Sequence, residues 1–452
     1  MKTLFYMPLL LVVLLGSCKK DFLEERSNKR LFVPSTLEDY QNMLDNTEVF
    51  AMGVYPAVTQ NLSDDFYMLD NAWNSLVLRE KNAYIWNSQP DETDGNWALA
   101  YRQVFYANVT LDGLEQMDAD QKSQVLWSQL RGTALFYRAF AFYNLAQLFT
   151  RPYLIQNAGD EPGIPLRLVA DADKNYPRGT VKQTYQQILK DLREAAVLLP
   201  EKTSYKTRPG VMAAYALLAR VNLAIGDYTA AEQHADRALA VSDFLLNYAD
   251  ISAIPRRPFP LALPNANPEV IWYCSMLGSF MRSTSTFADT VLYASYAAQD
   301  KRKTLFFSSS NGKQATFKGS YSGDTYYFTG LATDELYLIK AECLARGGAG
   351  TEAMKWLNKL LEKRWSAGQF TPLTAASAEE ALRIVLVERR KELIGRGMRW
   401  MDLRRLNQDP KFTLVQTRRL QGKTYTLEPL DLGRYLLPIP MQEIQLTGIV
   451  QN

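Results

Sequence analysis

Several residue types are scarce in this chain, and each shortage closes off a chemistry. Its 452 residues include one histidine, His234, and three cysteines, with no Cys-x-x-Cys pair. Zinc sites built on His and Cys are excluded, and a Ser-His-Asp relay could run only through His234. That histidine falls on the second helix of a repeat unit and reads as exposed and non-catalytic. Cys274 and Cys343 are too few for a disulfide framework, and their apolar surroundings suit buried thiols better than a bridge. Charge of one sign is also in short supply. With 51 basic and 48 acidic residues the net charge is +3, too weak a field to recruit nucleic acid or an anionic membrane. No Gly-x-Ser-x-Gly elbow, His-Glu-x-x-His helix or phosphate-binding Gly-x-x-x-x-Gly-Lys loop occurs. The carboxylate pairs Asp64/Asp65 and Asp91/Asp94 could in principle serve glycoside hydrolysis, but acids so close in sequence are more commonly turn formers. We expect no catalytic residue, no metal, no cofactor and no nucleic-acid partner.

What is abundant is aromatic: 12% of the chain, with 25 Tyr and 8 Trp. Packing between helices needs many such rings, and a carbohydrate-stacking surface would need a surplus. Residues 1–20 carry Lys2, an apolar run from Leu9 to Leu15, and the small residues Gly16 and Ser17 before Cys18. That is a signal peptide, too short to span a bilayer. Leu15-Gly16-Ser17-Cys18 resembles a bacterial lipobox, which implies cleavage after residue 17 and lipid on Cys18. The acyl chains would anchor the mature protein to a membrane leaflet, with residues 18–34 as a polar tether and 35–452 as one domain.

Helical spacing dominates that domain. Thr36 to Leu44 is a short amphipathic helix. Trp97, Tyr101, Val104, Phe105, Asn108 and Leu111 line one face of a long one, and Gln124 to Phe149 is a more apolar partner. Val181 to Leu199 is amphipathic and stops at Pro200. The segments Pro209–Leu239 and Asp334–Lys363 both place small residues at close helical spacing around a Gly-containing turn, a grammar that resembles a tetratricopeptide unit. Such units bury their faces only by stacking, so the expectation is mainly α: a tetratricopeptide-like helical-hairpin array, right-handed, with a few short β-strands. Two stretches break the rhythm, about 50–96 and 245–331. The second is rich in proline, with a short strand expected at Glu269–Tyr273 and a small β-hairpin or sheet between Arg302 and Phe328. Recognition surfaces usually sit on such insertions. The tail, Tyr435 to Ile444, reads as an extended strand laid over the core rather than another helix.

The stretch Val387–Leu406, VERRKELIGRGMRWMDLRRL, crowds charge onto apolar helical spacing. Gly395-Arg396-Gly397 would permit a tight turn between two helices, and the arginines want carboxylates held bidentately, with Glu388, Glu392 and Asp402 available. Taken alone, it would pass for a solvated, salt-bridged surface helix pair. Its pattern, E-R-R-x-E-L-x-x-x-G-x-R-W-x-D-L-R-R, resembles the C-terminal signature of the SusD/RagB family of surface nutrient-binding lipoproteins. Arg396 departs from the family, which usually has an acidic residue there. Further resemblances are Asp21-Phe22-Leu23, Asp64-Asp65, the Trp97/Tyr101/Asn108 pattern, Gly163-Ile164-Pro165-Leu166, Pro177-Arg178, Glu269–Tyr273 and the Pro-containing tail, so the likeness runs nearly end to end.

The resemblance implies a non-enzymatic, lipid-anchored outer-membrane protein exposed at the cell surface. It would bind a nutrient, an oligosaccharide or glycan, and deliver it to a TonB-dependent SusC-like transporter. The alternatives are a RagB-like protein that takes peptides, a lipid-anchored scaffold that binds only protein, and a lipid-anchored hydrolase. By residue type, Trp73, Asn74, Tyr84 and Trp86 in the first insertion and Phe280, Arg282, Tyr293 and Tyr296 in the second could stack on sugar rings and bond hydroxyls. Each aromatic among them suits core packing equally well. Trp97 is expected to pack structurally, and Asp64-Asp65 to fix a loop.

Overall fold

The computed structural model describes residues 34–92, 94–264, 267–319 and 321–452. The expected signal peptide, Cys18 and nearly all of the tether lie outside the described residues.

The helices that carry the argument are α1 (Leu37–Leu44), α2 (Val58–Leu62), α3 (Leu78–Tyr84), α4 (Asp94–Glu115), α5 (Val125–Phe149), α6 (Val181–Leu198), α7 (Val211–Ile225), α8 (Tyr228–Val241), α9 (Thr333–Arg346), α10 (Gly350–Glu362), α11 (Ala378–Glu392), α12 (Met398–Leu406) and α13 (Met441–Thr447). Sequence-adjacent helices pack on one another from α4 to α8, after which α8 packs on α9 and α9 on both α10 and α11. This is the stacked array of hairpins that the small-residue spacing predicts. At its centre, residues 132–149 of α5 are buried on every face, which explains why that segment shows no polar stripe. α6 begins with a capping box, Thr180 with Gln183, and stops at Leu198, ahead of Pro200. Among the described residues no helix is long and apolar enough to cross a membrane.

The two insertions meet. Phe66–Met68 of the first pairs antiparallel with Thr286–Ala288 of the second, Phe66 opposite Ala288. The expected strand is Val270–Trp272, paired with Leu331–Ala332. Between Arg302 and Phe328 the chain is more broken than the sequence suggests. Arg302–Phe306 is helical, Phe307–Ser308 pairs with Thr316–Phe317, and Tyr327–Phe328 pairs with Ser275–Met276. The tail also departs from expectation: it is extended only to Pro440, after which α13 forms. Proline is tolerated at a helix start, where its missing N–H would have no intrahelical partner. His234 is half-buried, its ring 6.2 Å from Tyr215, rather than exposed. Cys274 and Cys343 are buried, unpaired thiols.

Candidate functional site

The charged hairpin α11–α12 is not a surface feature. Glu388, Arg389, Lys391, Glu392, Arg396, Asp402 and Arg404 are all buried. A charge taken out of water is tolerated only with close partners, and these have them. Arg302 spans Asp300, Glu388 and Glu392 at 2.6–3.0 Å, and Lys391 reaches Glu388 and Asp300. Arg364 bridges Glu392 and Glu269 at 2.6 and 2.5 Å, while Arg396 holds Asp334 at 2.5 Å. The Tyr321 hydroxyl joins the last two acids, 3.0 Å from both Glu269 and Asp334. Five carboxyls thus share four cations. Burial lifts Glu269 above the ordinary glutamate range despite Arg364, with Asp334 adding to the rise. A retained proton there also explains how one tyrosine O–H can sit at bonding distance from two acids. Arg396, the departure from the family pattern, thus has its own partner, and its guanidinium lies over the rings of Tyr321 and Phe328.

From this anchor, two arginines reach out to the first insertion. Arg399 holds Asp64 bidentately at 2.6 and 3.0 Å. Arg390 donates to the Asp64 carbonyl at 2.7 Å and contacts Asp65 and Asp289 at 3.3 and 3.5 Å. Burial acts to raise both aspartates. For Asp64 the two guanidiniums win and hold the carboxyl well below its ordinary range, whereas burial wins for Asp65. The pair Asp64-Asp65 therefore does fix a loop, through ion pairs rather than through a turn of its own. Gly397, at φ +77°, lets the backbone approach Tyr55, whose hydroxyl donates to the Gly397 carbonyl at 3.4 Å.

Arg418, in the strand Gln416–Leu420, fixes the other side. It donates to the carbonyls of Asn61 and Ser63, each at 2.6 Å, and to that of Tyr84, tying the end of α2 to the end of α3. Its guanidinium lies 3.7 Å from the Tyr84 ring centre and 4.3 Å from that of Trp86. No carboxylate bonds it directly, and burial, outweighing the opposing pull of Tyr84 and Asp64, pushes its pKa down to about 10. Trp86 adopts φ +56°, a backbone state rare outside glycine, and donates its indole N–H to Leu62 at 2.9 Å.

The walls fixed in this way enclose an open cleft of about 390 Å³. Its lining comes from the segment 53–61, from α3, from Ser88, Glu92, Gly95, Asn96 and Leu99, and from Leu277, Gly278 and Phe280 of the second insertion. Leu277 is half-exposed and lies against Gly53, which half-buried Tyr326 also approaches. Polar groups converge on the cleft from Gln60, Asn61, Arg79, Ser88, Glu92 and Asn96. Glu92 is occupied by Asn82 and the backbone of Gln89. Among the described residues, the side chains of Gln60, Asn61, Arg79, Ser88 and Asn96 make no hydrogen bond to protein.

The aromatic site residues expected from sequence are placed differently. Tyr84, Trp86, Phe280, Tyr293 and Tyr296 are buried at 9% exposure or less, so none presents an open ring face. Tyr84 and Trp86 clamp Arg418, the Tyr296 hydroxyl donates to the Lys391 carbonyl at 2.7 Å, and Tyr293 packs on Phe307. Phe280 packs on Phe66 and Tyr84 yet reaches the cleft wall. Trp73 is partly buried, with Lys81 over its ring at 5.5 Å, and stands outside the cleft lining. Asn74 is exposed and accepts from Gln421, and Arg282 is exposed and donates to Thr325. Trp97 is buried against Tyr101 and Phe149, as expected of a packing residue. The sequence reading passed over Gln60, Asn61, Arg79, Asn96 and Tyr326. The only hint was position: two carboxamides just ahead of Asp64-Asp65, and a third just before Trp97.

Comparison with known proteins agrees with this architecture. Residues 21–223 match the family described as "Starch-binding associating with outer membrane", and residues 289–452 match the SusD family. SusD-like protein P2 of Formosa agariphila is 25% identical over 460 residues, covering 86% of this chain and 85% of that protein. Among solved structures, a SusD superfamily protein from Bacteroides thetaiotaomicron superposes with a TM-score of 0.74 at 22% identity, over 92% of this chain and 99% of the other. A SusD-like carbohydrate binding protein from Bacteroides vulgatus gives 0.71 at 19% identity, over 92% and 97%. Identities this low establish a shared fold. With both ends of the chain matched by SusD-type families and the signature hairpin in place, the chain belongs to the SusD/RagB family of outer-membrane-associated proteins.

Proposed function

We propose that this protein captures an oligosaccharide in the cleft between its two insertions and delivers it, chemically unchanged, to a TonB-dependent SusC-like transporter. Lipid on Cys18 would hold it at the outer face of the outer membrane, and a broad face of the helical array would dock on the transporter. The observation that carries the reading is the cleft itself. It is large enough for one or two sugar rings, walled by apolar groups, and lined by Asn61, Arg79, Ser88 and Asn96, whose side chains make no hydrogen bond among the described residues. The family description and the carbohydrate-binding relative from Bacteroides vulgatus point the same way. Trp73, Asn74 and Arg282 remain candidates for contacts with a longer chain beyond the cleft, whereas Tyr84, Trp86, Tyr293 and Tyr296 would act by holding its walls.

Calorimetric titration of the full chain in mild detergent, against plant, host and microbial oligosaccharides and a mixed peptide digest, tests this. Saturable heat with one glycan class is expected. Heat only with peptides would replace saccharide capture by peptide capture, and turnover of any glycan would overturn the non-enzymatic reading. Weaker binding of long but not short oligomers by Trp73→Ala would extend the site outward.

A further inference from the structure

The second insertion brings positive charge without a protein partner to the rim of the cleft. Its segment 253–262 contains Pro255, Pro258 and Pro260, whose fixed φ stiffens the backbone. Both ends of the segment are tied down. Lys318 donates to the Ala253 carbonyl at 2.7 Å, and the Ala262 N–H donates to the Ser322 carbonyl at 3.0 Å. Between them Phe259 is buried, its ring 5.3 Å from those of both Tyr248 and Tyr321. Arg256 and Arg257, just ahead of this anchor, are exposed and make no hydrogen bond or ion pair among the described residues. Pro260 and Leu261 lie against Gly323, so the segment runs alongside the loop 322–327. That loop reaches the cleft, where the Tyr327 ring packs on Gly278 and the Tyr326 ring approaches Gly53. Exposed Arg282 joins it there, donating to the Thr325 carbonyl at 2.8 Å.

Burial raises the pKa of the Tyr327 hydroxyl, and Arg282, Arg256 and Arg257 act together against that rise, so three guanidiniums stand within electrostatic reach of one point on the rim. The acid on this loop, Asp324, is half-buried and accepts from the Tyr326 N–H at 2.7 Å. Burial disfavours its charge, which leaves the cations in excess on this side. The carboxylates of the cleft lining, Glu80 and Glu92, belong to the first insertion. Guanidiniums with free N–H groups hold carboxylate or sulfate oxygens in pairs, with a strength that uncharged hydroxyls do not match. Leu261 and Leu277, 53% and 51% exposed, offer the apolar contact that a sugar ring between such charges would need. Resting on the saccharide reading of the cleft, we infer that its ligand is an acidic glycan, whose carboxylate or sulfate groups are received by Arg256, Arg257 and Arg282 on the rim formed by the second insertion.

Calorimetry on the full chain in mild detergent compares hexagalacturonate with its methyl-esterified form, and a sulfated galactan hexasaccharide with its desulfated counterpart, alongside neutral gluco- and xylo-hexasaccharides and a peptide digest. At least one acidic hexasaccharide is expected to bind about tenfold or more tighter than its neutral counterpart, with an affinity that falls as salt is raised. The double substitution Arg256→Gln with Arg257→Gln, and separately Arg282→Gln, should each weaken that binding by about tenfold and flatten its salt dependence. Because Arg256 and Arg257 are exposed and unpartnered, the double variant should keep the Tm of the ligand-free protein, so that its lost affinity reports on the ligand and not on the fold. Equal or tighter binding of the neutral counterparts, binding of neutral hexasaccharides alone, or undiminished acidic affinity in the double variant would overturn the acidic class while leaving saccharide capture standing. Binding of peptides alone, or of nothing in the panel, would remove the saccharide reading and this inference with it.

Discussion

A single buried arginine shows how side chains that look like ligand readers serve as structure. Tyr84 and Trp86 have the composition of a sugar platform, but their ring faces are taken by Arg418, which neutralises three carbonyls that α2, α3 and their connections leave unpaired. Replacing Arg418 by Leu strands those carbonyls, and each buried unpaired acceptor costs about 1–3 kcal/mol. We therefore expect Arg418→Leu to lower unfolding free energy by about 3 kcal/mol or more in urea titrations, and to weaken glycan binding with it. Trp86→Ala should behave alike, lowering stability by about 3–5 kcal/mol as a large core truncation does. A Trp86→Ala protein that keeps full stability and loses only ligand would contradict the burial described above. Aromatic type alone could not separate these roles. Both uses need a flat apolar ring, and only the partner on its face tells them apart.

The hairpin α11–α12 is the element most legible from sequence, because its Gly-Arg-Gly turn and the density of its charges each have one physical solution. The turn needs a backbone state that glycine alone adopts freely, and charges on an apolar helix need partners. What the pattern could not tell was whether those partners were solvent or protein. Gly397 is where the turn touches the cleft wall: at φ +77°, an added Cβ would run into the Tyr55 ring. Gly397→Ala should accordingly cost more than the roughly 1 kcal/mol of an unfavourable backbone state, read as a lower denaturant midpoint. Gly422→Ala, also at positive φ but with open space around it, supplies the backbone cost by itself. Apart from the strand expected at Glu269–Tyr273 and the hairpin expected between Arg302 and Phe328, the short β elements were not legible, and neither was α13. Two- and three-residue strands carry too little alternation to distinguish them from loop, and α13 follows a proline-rich run that argues against a helix until Pro440 is seen at its N-terminal boundary.

Over the whole molecule the buried ion network makes stability depend on pH from both sides. Burial raises Glu342, but Arg405 and Arg346 outweigh it and hold the carboxyl at about 2, against an ordinary 4.5. Its contribution is fully present above the ordinary value and is lost as pH falls towards 2, a loss on the order of 3 kcal/mol. Glu269 has the opposite sign. Its raised pKa means that the folded state holds a proton the unfolded chain has already released, so stability is greatest below the ordinary glutamate value and declines as pH rises through the folded one. Denaturation midpoints should therefore fall at both ends of the scale, and Glu269→Gln, which keeps the neutral form, should flatten the decline on the neutral side while leaving the acid limb intact. A decline unchanged in Glu269→Gln would place the retained proton elsewhere in the network. By itself, the sequence determined the helical array, because spacing of small and apolar residues fixes which faces must stack. It also determined the signature hairpin and the shortage of catalytic groups, since these are properties of residue type and near neighbours. Tertiary structure alone decided that residues 66–68 pair with 286–288, that Arg418 lies between Tyr84 and Trp86, and that Gln60, Asn61 and Asn96 line one cleft. Those contacts join positions up to hundreds of residues apart, and no local pattern encodes which distant group will occupy a ring face or leave an amide unpaired.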